Sequence, residues 1–321
     1  MNSKTTSELQ KLTIDFLEYC EIEKNHSELT VKNYDHYLAR FLNLSDCKKP
    51  GDITLDVVRK YRLGLNRYKD EKGRGLKKVT QNYYLIALRA FLKYLAKRDI
   101  KTLAAEKIEL GSQEERIIEF LELPELERLL KAPLEAKKET IINVRDKAIL
   151  ELLFSTGLRV SELCGLDNDS VNLDKEEFTI RGKGDKPRLV FLSKNAKYWL
   201  KKYSTLRKDK LAPLFINHTR AKTIKSGQDA SRRLTPRSVE RMIQKYAKIA
   251  GLTKKVTPHT MRHSYATDLL MNGADIRSVQ AMLGHSSITT TQIYTHLTNQ
   301  HLKEVYKAFH DKRRGNIDKI S

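Results

Sequence analysis

Five short elements of this 321-residue sequence carry side chains suited to chemistry on a phosphodiester: Thr156-Gly157-Leu158-Arg159, Gly182-Lys183-Gly184, His259-Thr260-Met261-Arg262, Leu283-Gly284-His285 and Tyr294. Together they supply cations, proton donors and a phenol. Direct attack on phosphorus places extra negative charge on the nonbridging oxygens, so catalysis rests on positioned cations and hydrogen-bond donors. Arg159 and Arg262 suit that task, because a guanidinium stays charged and offers a planar fork to phosphate oxygens. Glu162 lies one helical turn after Arg159, where a carboxylate orients a guanidinium without reacting itself. A tyrosine nucleophile would store the bond energy as a phosphotyrosine and let the strand be rejoined without ATP. The leaving 5′ oxygen needs a proton, which Lys175, Lys183 or Lys186 could deliver. His259 and His285 are suited to proton handling or to hydrogen bonding a phosphate oxygen, and either ring could instead be structural.

Cofactor chemistry finds little support. His259 and His263 are four residues apart and share a helix face, but the glutamate of an H-E-x-x-H site is missing and no carboxylate cluster follows. There is no G-x-x-x-x-G-K-[ST] phosphate loop. We therefore expect neither metal nor ATP, and a reaction that runs in EDTA. Lys and Arg number 61 against 40 Asp and Glu, a formal charge of +21 that points to a polyanionic partner. No signal peptide, lipid anchor or membrane-spanning run is visible, which implies a cytoplasmic, nucleoid-associated protein with no membrane partner. Cys20, Cys47 and Cys164 lack metal or redox spacing and are expected to be reduced, packed thiols.

The elements that must position these groups follow from periodicity. Apolar stripes at Leu9 to Tyr19, Tyr34 to Leu42, Leu55 to Leu65 and Tyr84 to Leu95 predict amphipathic helices, with Thr30 as the N-cap of the second. The loop from Lys69 to Lys78 is expected to be exposed and mobile. Periodicity then weakens, so residues 1–106 read as a helical domain, 107–117 as a linker and 118–321 as a second domain. In the second, Leu123-Pro124-Glu125 opens a helix, Ile141 to Phe154 predicts a buried one, and Phe178 to Arg181 with Arg188 to Leu192 predict two short strands around a glycine-lysine turn. The stretch from Asn217 to Arg233 is polar and basic, with no role assigned. Leu302, Val305, Tyr306 and Phe309 mark one apolar face on a short terminal helix.

The segments "STGLRVSELCGL", "GKGDKPRLV", "TPHTMRHSYAT" and "LGHSSITTTQIYTH", in this order, resemble the tyrosine recombinase (phage integrase) family, in particular its Xer branch of site-specific recombinases. The likeness extends over essentially the whole chain. It implies a mainly α fold with a small β-sheet: a two-domain, C-shaped DNA clamp made of a helical, SAM-like core-binding domain and an α+β catalytic domain. Among the tyrosines it selects Tyr294, nine residues after His285, as the nucleophile. Among the lysines it selects Lys183 as the general acid. It gives His259 proton handling at the tyrosine and His285 a hydrogen bond to a nonbridging oxygen.

By the same resemblance the partner is a double-stranded DNA recombination site. A homotetramer or heterotetramer would assemble on two sites, exchange the terminal helix between protomers, pass through a Holliday junction, and answer to a DNA translocase. Resolution of chromosome dimers is the role implied. A mobile-element integrase, a noncatalytic DNA-binding protein and a type IB topoisomerase are the rival readings. The short N-terminal region argues against the first, the intact set of chemical residues against the second, and strand exchange between sites separates the third.

Overall fold

The structure is a computed structural model, and it describes residues 7–112, 119–135, 139–182, 186–218 and 232–284. Lys183, His285, Tyr294, the terminal apolar face at Leu302 to Phe309, and residues 219–231 of the basic stretch lie outside the described residues. The chain divides into two compact units, Met1–Arg116 and Ile117–Ser321.

The first unit is built from α1 (Glu8–Ile22), α2 (Glu28–Ser45), α3 (Leu55–Arg67) and α4 (Lys78–Ala96). A capping box starts α1: Ser7 Oγ accepts from the Gln10 amide at 3.2 Å, and the Ser7 amide donates to Gln10 Oε1 at 2.8 Å. The predicted stripes bury Phe16, Leu38, Phe41, Tyr61, Phe91 and Leu92 in one core, and stacked or edge-on pairs such as Phe16 with Phe91 fill it. The N-cap of α2 is Ser27, three residues ahead of the predicted Thr30. Thr30 sits in the first turn, donates its amide to the Ser27 carbonyl at 2.8 Å and pairs hydroxyls with Ser27 at 3.0 Å. Both residues are capping types, and the earlier one gains an extra turn of helix.

The Lys69 to Lys78 loop is exposed as expected, yet it is organised. The Asp70 carboxylate accepts from the Lys72 and Arg74 amides at 2.9 and 2.8 Å and from Arg74 Nε at 2.8 Å, and Lys69 bridges to Gly75. The aspartate closes a turn on its own backbone. The expected linker is also attached over its first part: Ile108 is buried in the first core, and Gly111 exchanges two hydrogen bonds with the buried Asn82 side chain.

The second unit holds α5 (Leu123–Lys131), α6 (Ile141–Thr156), α7 (Val160–Gly165), β1 (Glu177–Arg181), β2 (Pro187–Phe191), α8 (Lys194–Leu206), α9 (Pro236–Ile249), α10 (Pro258–Met271) and α11 (Ile276–Leu283). Helix α6 runs through its core and is buried nearly all round, which is why its sequence is apolar without a clean stripe. Its charged residues are paired: Arg145 donates to Asp146 and to the Ile216 carbonyl, Asp146 also accepts from Tyr246, and Lys147 bonds Glu151. Strands β1 and β2 form an antiparallel two-stranded sheet with Phe178 opposite Val190 and Arg181 opposite Pro187. Gly182 donates its amide to the Lys186 carbonyl at 2.9 Å and closes the hairpin base. The three cysteines are buried and unpaired; burial raises the Cys20 and Cys164 thiols to about 11, so they stay protonated. No described helix is long and apolar enough to cross a membrane.

Candidate active site

Two helix ends that both stop on a left-handed glycine create the geometry of the site. Helix α6 ends at Gly157 (φ +60°) and α11 at Gly284 (φ +62°). At Gly157 a side chain is excluded twice. The backbone angle disfavours one, and a Cβ would lie 2.5 Å from Tyr265 Cδ1. These tight ends leave backbone carbonyls facing outward at the negative poles of two helices, where cations are stabilised.

Arg262 fills that position. Helix α10 begins with a Thr257/Thr260 capping box and Pro258 in its first turn. One turn in, Arg262 is 5 % exposed and donates from Nη1 to the Gly157 carbonyl and from Nη2 to the Leu283 carbonyl. Arg159 approaches the same corner from the start of α7 and donates from Nη2 to the Gly284 carbonyl at 3.2 Å. Its side chain is 29 % exposed, so part of the guanidinium fork faces solvent. Glu162 holds Arg159 as the spacing predicts: its carboxylate accepts from the Arg159 amide at 2.7 Å and from Nη1 at 2.9 Å.

A third arginine, absent from the sequence-based set, completes the arrangement. Arg188 on β2 donates from Nη1 and Nη2 to the two oxygens of Glu162, each at 2.7 Å. The signal for it was available. Arg188 and Val190 share one face of β2, and Val190 is buried, so Arg188 points inward and needs a carboxylate. Burial alone would raise the Glu162 carboxyl, but the hydrogen bonds from Arg188 and Arg159 outweigh it and hold the group below the ordinary carboxylate range.

His259 is exposed in the first turn of α10, one turn before Arg262. His263 is half-buried one turn further along, and burial, followed by the His259 and Arg262 charges, lowers it to about 4. The two histidines therefore occupy different environments. Ser264 joins α10 to the start of the unit, accepting the Leu121 amide at 2.8 Å and donating to the Thr260 carbonyl at 2.9 Å. The structure thus brings Arg159, Glu162 and Arg262 together beside the residues that lead into His285, with His259 on the same helix as Arg262. Lys175 and Lys186 are exposed.

Arg159 and Arg188 share the Glu162 carboxylate, and Arg159 and Arg262 meet at the carbonyls that end α6 and α11, an arrangement of cations suited to an anionic ligand. The Phage integrase family model matches residues 119–301, and the model of the phage integrase N-terminal SAM-like domain matches residues 14–99. Tyrosine recombinase XerC of Thermodesulfovibrio yellowstonii is 38% identical over 306 residues, covering 92% of this chain and 95% of that protein. Tyrosine recombinase XerD of Listeria monocytogenes is 36% identical over 313 residues, covering 95% of this chain and 100% of that protein. The fold matches the Tn1549 transposon integrase in complex with transposon right-end DNA, with a TM-score of 0.70 at 20% identity over 93% of this chain and 99% of that one. The chain belongs to the phage integrase family of tyrosine recombinases. It is a DNA-binding, site-specific recombinase related to the Xer proteins.

Proposed function

We propose that this recombinase acts in the manner of Xer enzymes to resolve chromosome dimers, cleaving each strand through a 3′-phosphotyrosine on Tyr294. The observation that carries the reading is the convergence of Arg159 and Arg262 on the carbonyls of Gly157, Leu283 and Gly284, immediately before His285 in the chain. In this reading the two arginines clamp the nonbridging oxygens, Glu162 orients Arg159, Lys183 protonates the leaving 5′ oxygen, His259 handles the tyrosine proton and His285 hydrogen bonds the phosphate. The unit holding α1 to α4 is the core-binding domain and the unit from α5 onward the catalytic domain. Four protomers work on two sites, with neither metal nor ATP, and an associated translocase sets the timing.

The likeness to both XerC and XerD proteins supports the Xer role. A mobile-element recombinase, which the same fold also serves in a transposon integrase, is the second reading. A palindromic site of about thirty base pairs near the replication terminus supports the first, since two half-sites lie roughly one helical turn apart; flanking transposition genes support the second. The chemistry is tested with a nicked suicide duplex in EDTA. The full-length protein is expected to form a denaturation-resistant adduct, and Tyr294→Phe to bind the duplex without forming it. An adduct with Tyr294→Phe moves the nucleophile elsewhere.

A further inference from the structure

Glu162 is one carboxylate shared by two guanidiniums. Arg159 reaches it through a backbone amide and one side-chain nitrogen, while Arg188 takes both of its oxygens. The partners differ in access: the Arg188 and Glu162 side chains are each 8 % exposed, against 29 % for Arg159. Arg188 is thus the more enclosed of the two guanidiniums, and both its terminal nitrogens donate to Glu162. Its stem lies against Gly284, where an added Cβ would come within 2.8 Å of Arg188 Cδ. One side chain thus touches the carboxylate that holds Arg159 and the residue that precedes His285, from a strand that begins four residues after Lys183 in the chain.

We propose that Arg188 is a positioning residue for Arg159: it takes up the charge of Glu162, so that Glu162 orients Arg159 without neutralising it toward the phosphate. This rests on the reading of Arg159 as a phosphate clamp. With Arg188 present, the two arginines and one carboxylate leave one net positive charge for the substrate. Without it, Arg159 and Glu162 form a neutral pair, and the carboxylate repels the same phosphate oxygens that Arg159 must attract. A group that stabilises developing charge loses effect when an opposite charge a few ångströms away cancels it in a partly desolvated site. The role is electrostatic, so it is reversible by a second substitution that removes the carboxylate charge.

The test uses the full-length protein and a nicked suicide duplex at saturating enzyme, comparing Arg188→Met, Arg188→Lys, Glu162→Gln and the Arg188→Met/Glu162→Gln double variant. Arg188→Met is expected to slow cleavage roughly 10- to 100-fold with half-site binding retained. The double variant is expected to cleave about tenfold faster than Arg188→Met, because removing the unbalanced carboxylate restores a net charge on Arg159. Arg188→Lys keeps the balancing charge and is expected to stay within about fivefold of the parent. A purely structural role predicts the reverse order, with the double variant at least as slow as Arg188→Met. A double variant no faster than Arg188→Met, or Arg188→Lys as slow as Arg188→Met, overturns the proposal. Should Arg188→Met lose cooperative thermal unfolding, the Arg188→Lys result decides. Arg159→Ala is run alongside. Cleavage at the parent rate by that variant refutes the clamp itself, whereas an inactive Arg159→Ala with no rescue in the double variant refutes only the role of Arg188.

Discussion

Arg262 donates to the carbonyl of Leu283, so one buried guanidinium ties helix α10 to the end of α11, two residues before His285. It also holds the Gly157 carbonyl at the end of α6. The residue that suits phosphate binding is thus a structural clasp that ties two helix ends to α10, and its loss has two consequences. Arg262→Gln is expected to abolish cleavage and to cost about 2–4 kcal/mol of stability, since buried carbonyls lose charged donors. Arg262→Lys keeps the charge but not the fork, and is expected to unfold at a temperature between the two. Thermal unfolding measured beside cleavage checks this. An inactive Arg262→Gln with unchanged stability shows that the clasp contributes nothing.

Gly157 and Gly251 form a matched pair for separating backbone strain from packing. Both have left-handed backbones, φ +60° and +66°, but an added Cβ meets Tyr265 at 2.5 Å at Gly157 and nothing within 4 Å at Gly251. Gly251→Ala is expected to cost about 1 kcal/mol, the price of the angle alone. Gly157→Ala adds overpacking against Tyr265 and is expected to cost about 2–4 kcal/mol, with lower cleavage because Arg159 follows two residues later. Equal melting temperatures for the two variants would mean that Tyr265 moves aside freely.

Acid is expected to destabilise the protein in a window set by two histidines. Burial lowers His218 and His263 from the ordinary value of 6.5 to about 4, with the Arg145 charge next in importance at the first and His259 at the second. The unfolded chain binds the extra protons first. Their contribution to stability is therefore complete above pH 6.5 and lost progressively as the pH falls toward 4. The melting temperature is expected to drop by about 2–5 °C between pH 7 and pH 5, and His263→Gln to flatten that slope. Glu162 acts in a separate, more acidic window, because its folded value lies below 4.5. A melting temperature that holds constant down to pH 5 contradicts the burial of these rings.

Lys183 is expected to act as the general acid, a role worth roughly 10²- to 10⁴-fold in rate. Lys183→Ala is expected to slow cleavage of ordinary DNA by about that factor and to recover much of it on a 5′-bridging phosphorothiolate, whose sulfur leaves without a proton. Failure of this rescue transfers the role to the neighbouring Lys186, which is exposed at the hairpin base.

Sequence alone determined the helices and hairpin whose apolar positions repeat at 3.6 or 2 residues, because burial of one face leaves that period whatever lies opposite. It also singled out Arg159, Glu162 and Arg262, whose residue types and spacing are local. Tertiary structure decided what those residues bind. The acceptors for Arg262 and Arg159 are backbone carbonyls at Gly157, Leu283 and Gly284, and a carbonyl has no letter in the sequence. Strand alternation places Arg188 on the inner face of β2, but its partner Glu162 lies 26 residues away, on an element whose approach to β2 depends on the packing of both against the core. The same limit applied to smaller features. The Asp70-centred turn and the attachment of Gly111 to Asn82 each turned on which hydrogen-bond partner the folded backbone brought within reach. Periodicity records that a face is buried; only the packed chain sets which donor meets which acceptor.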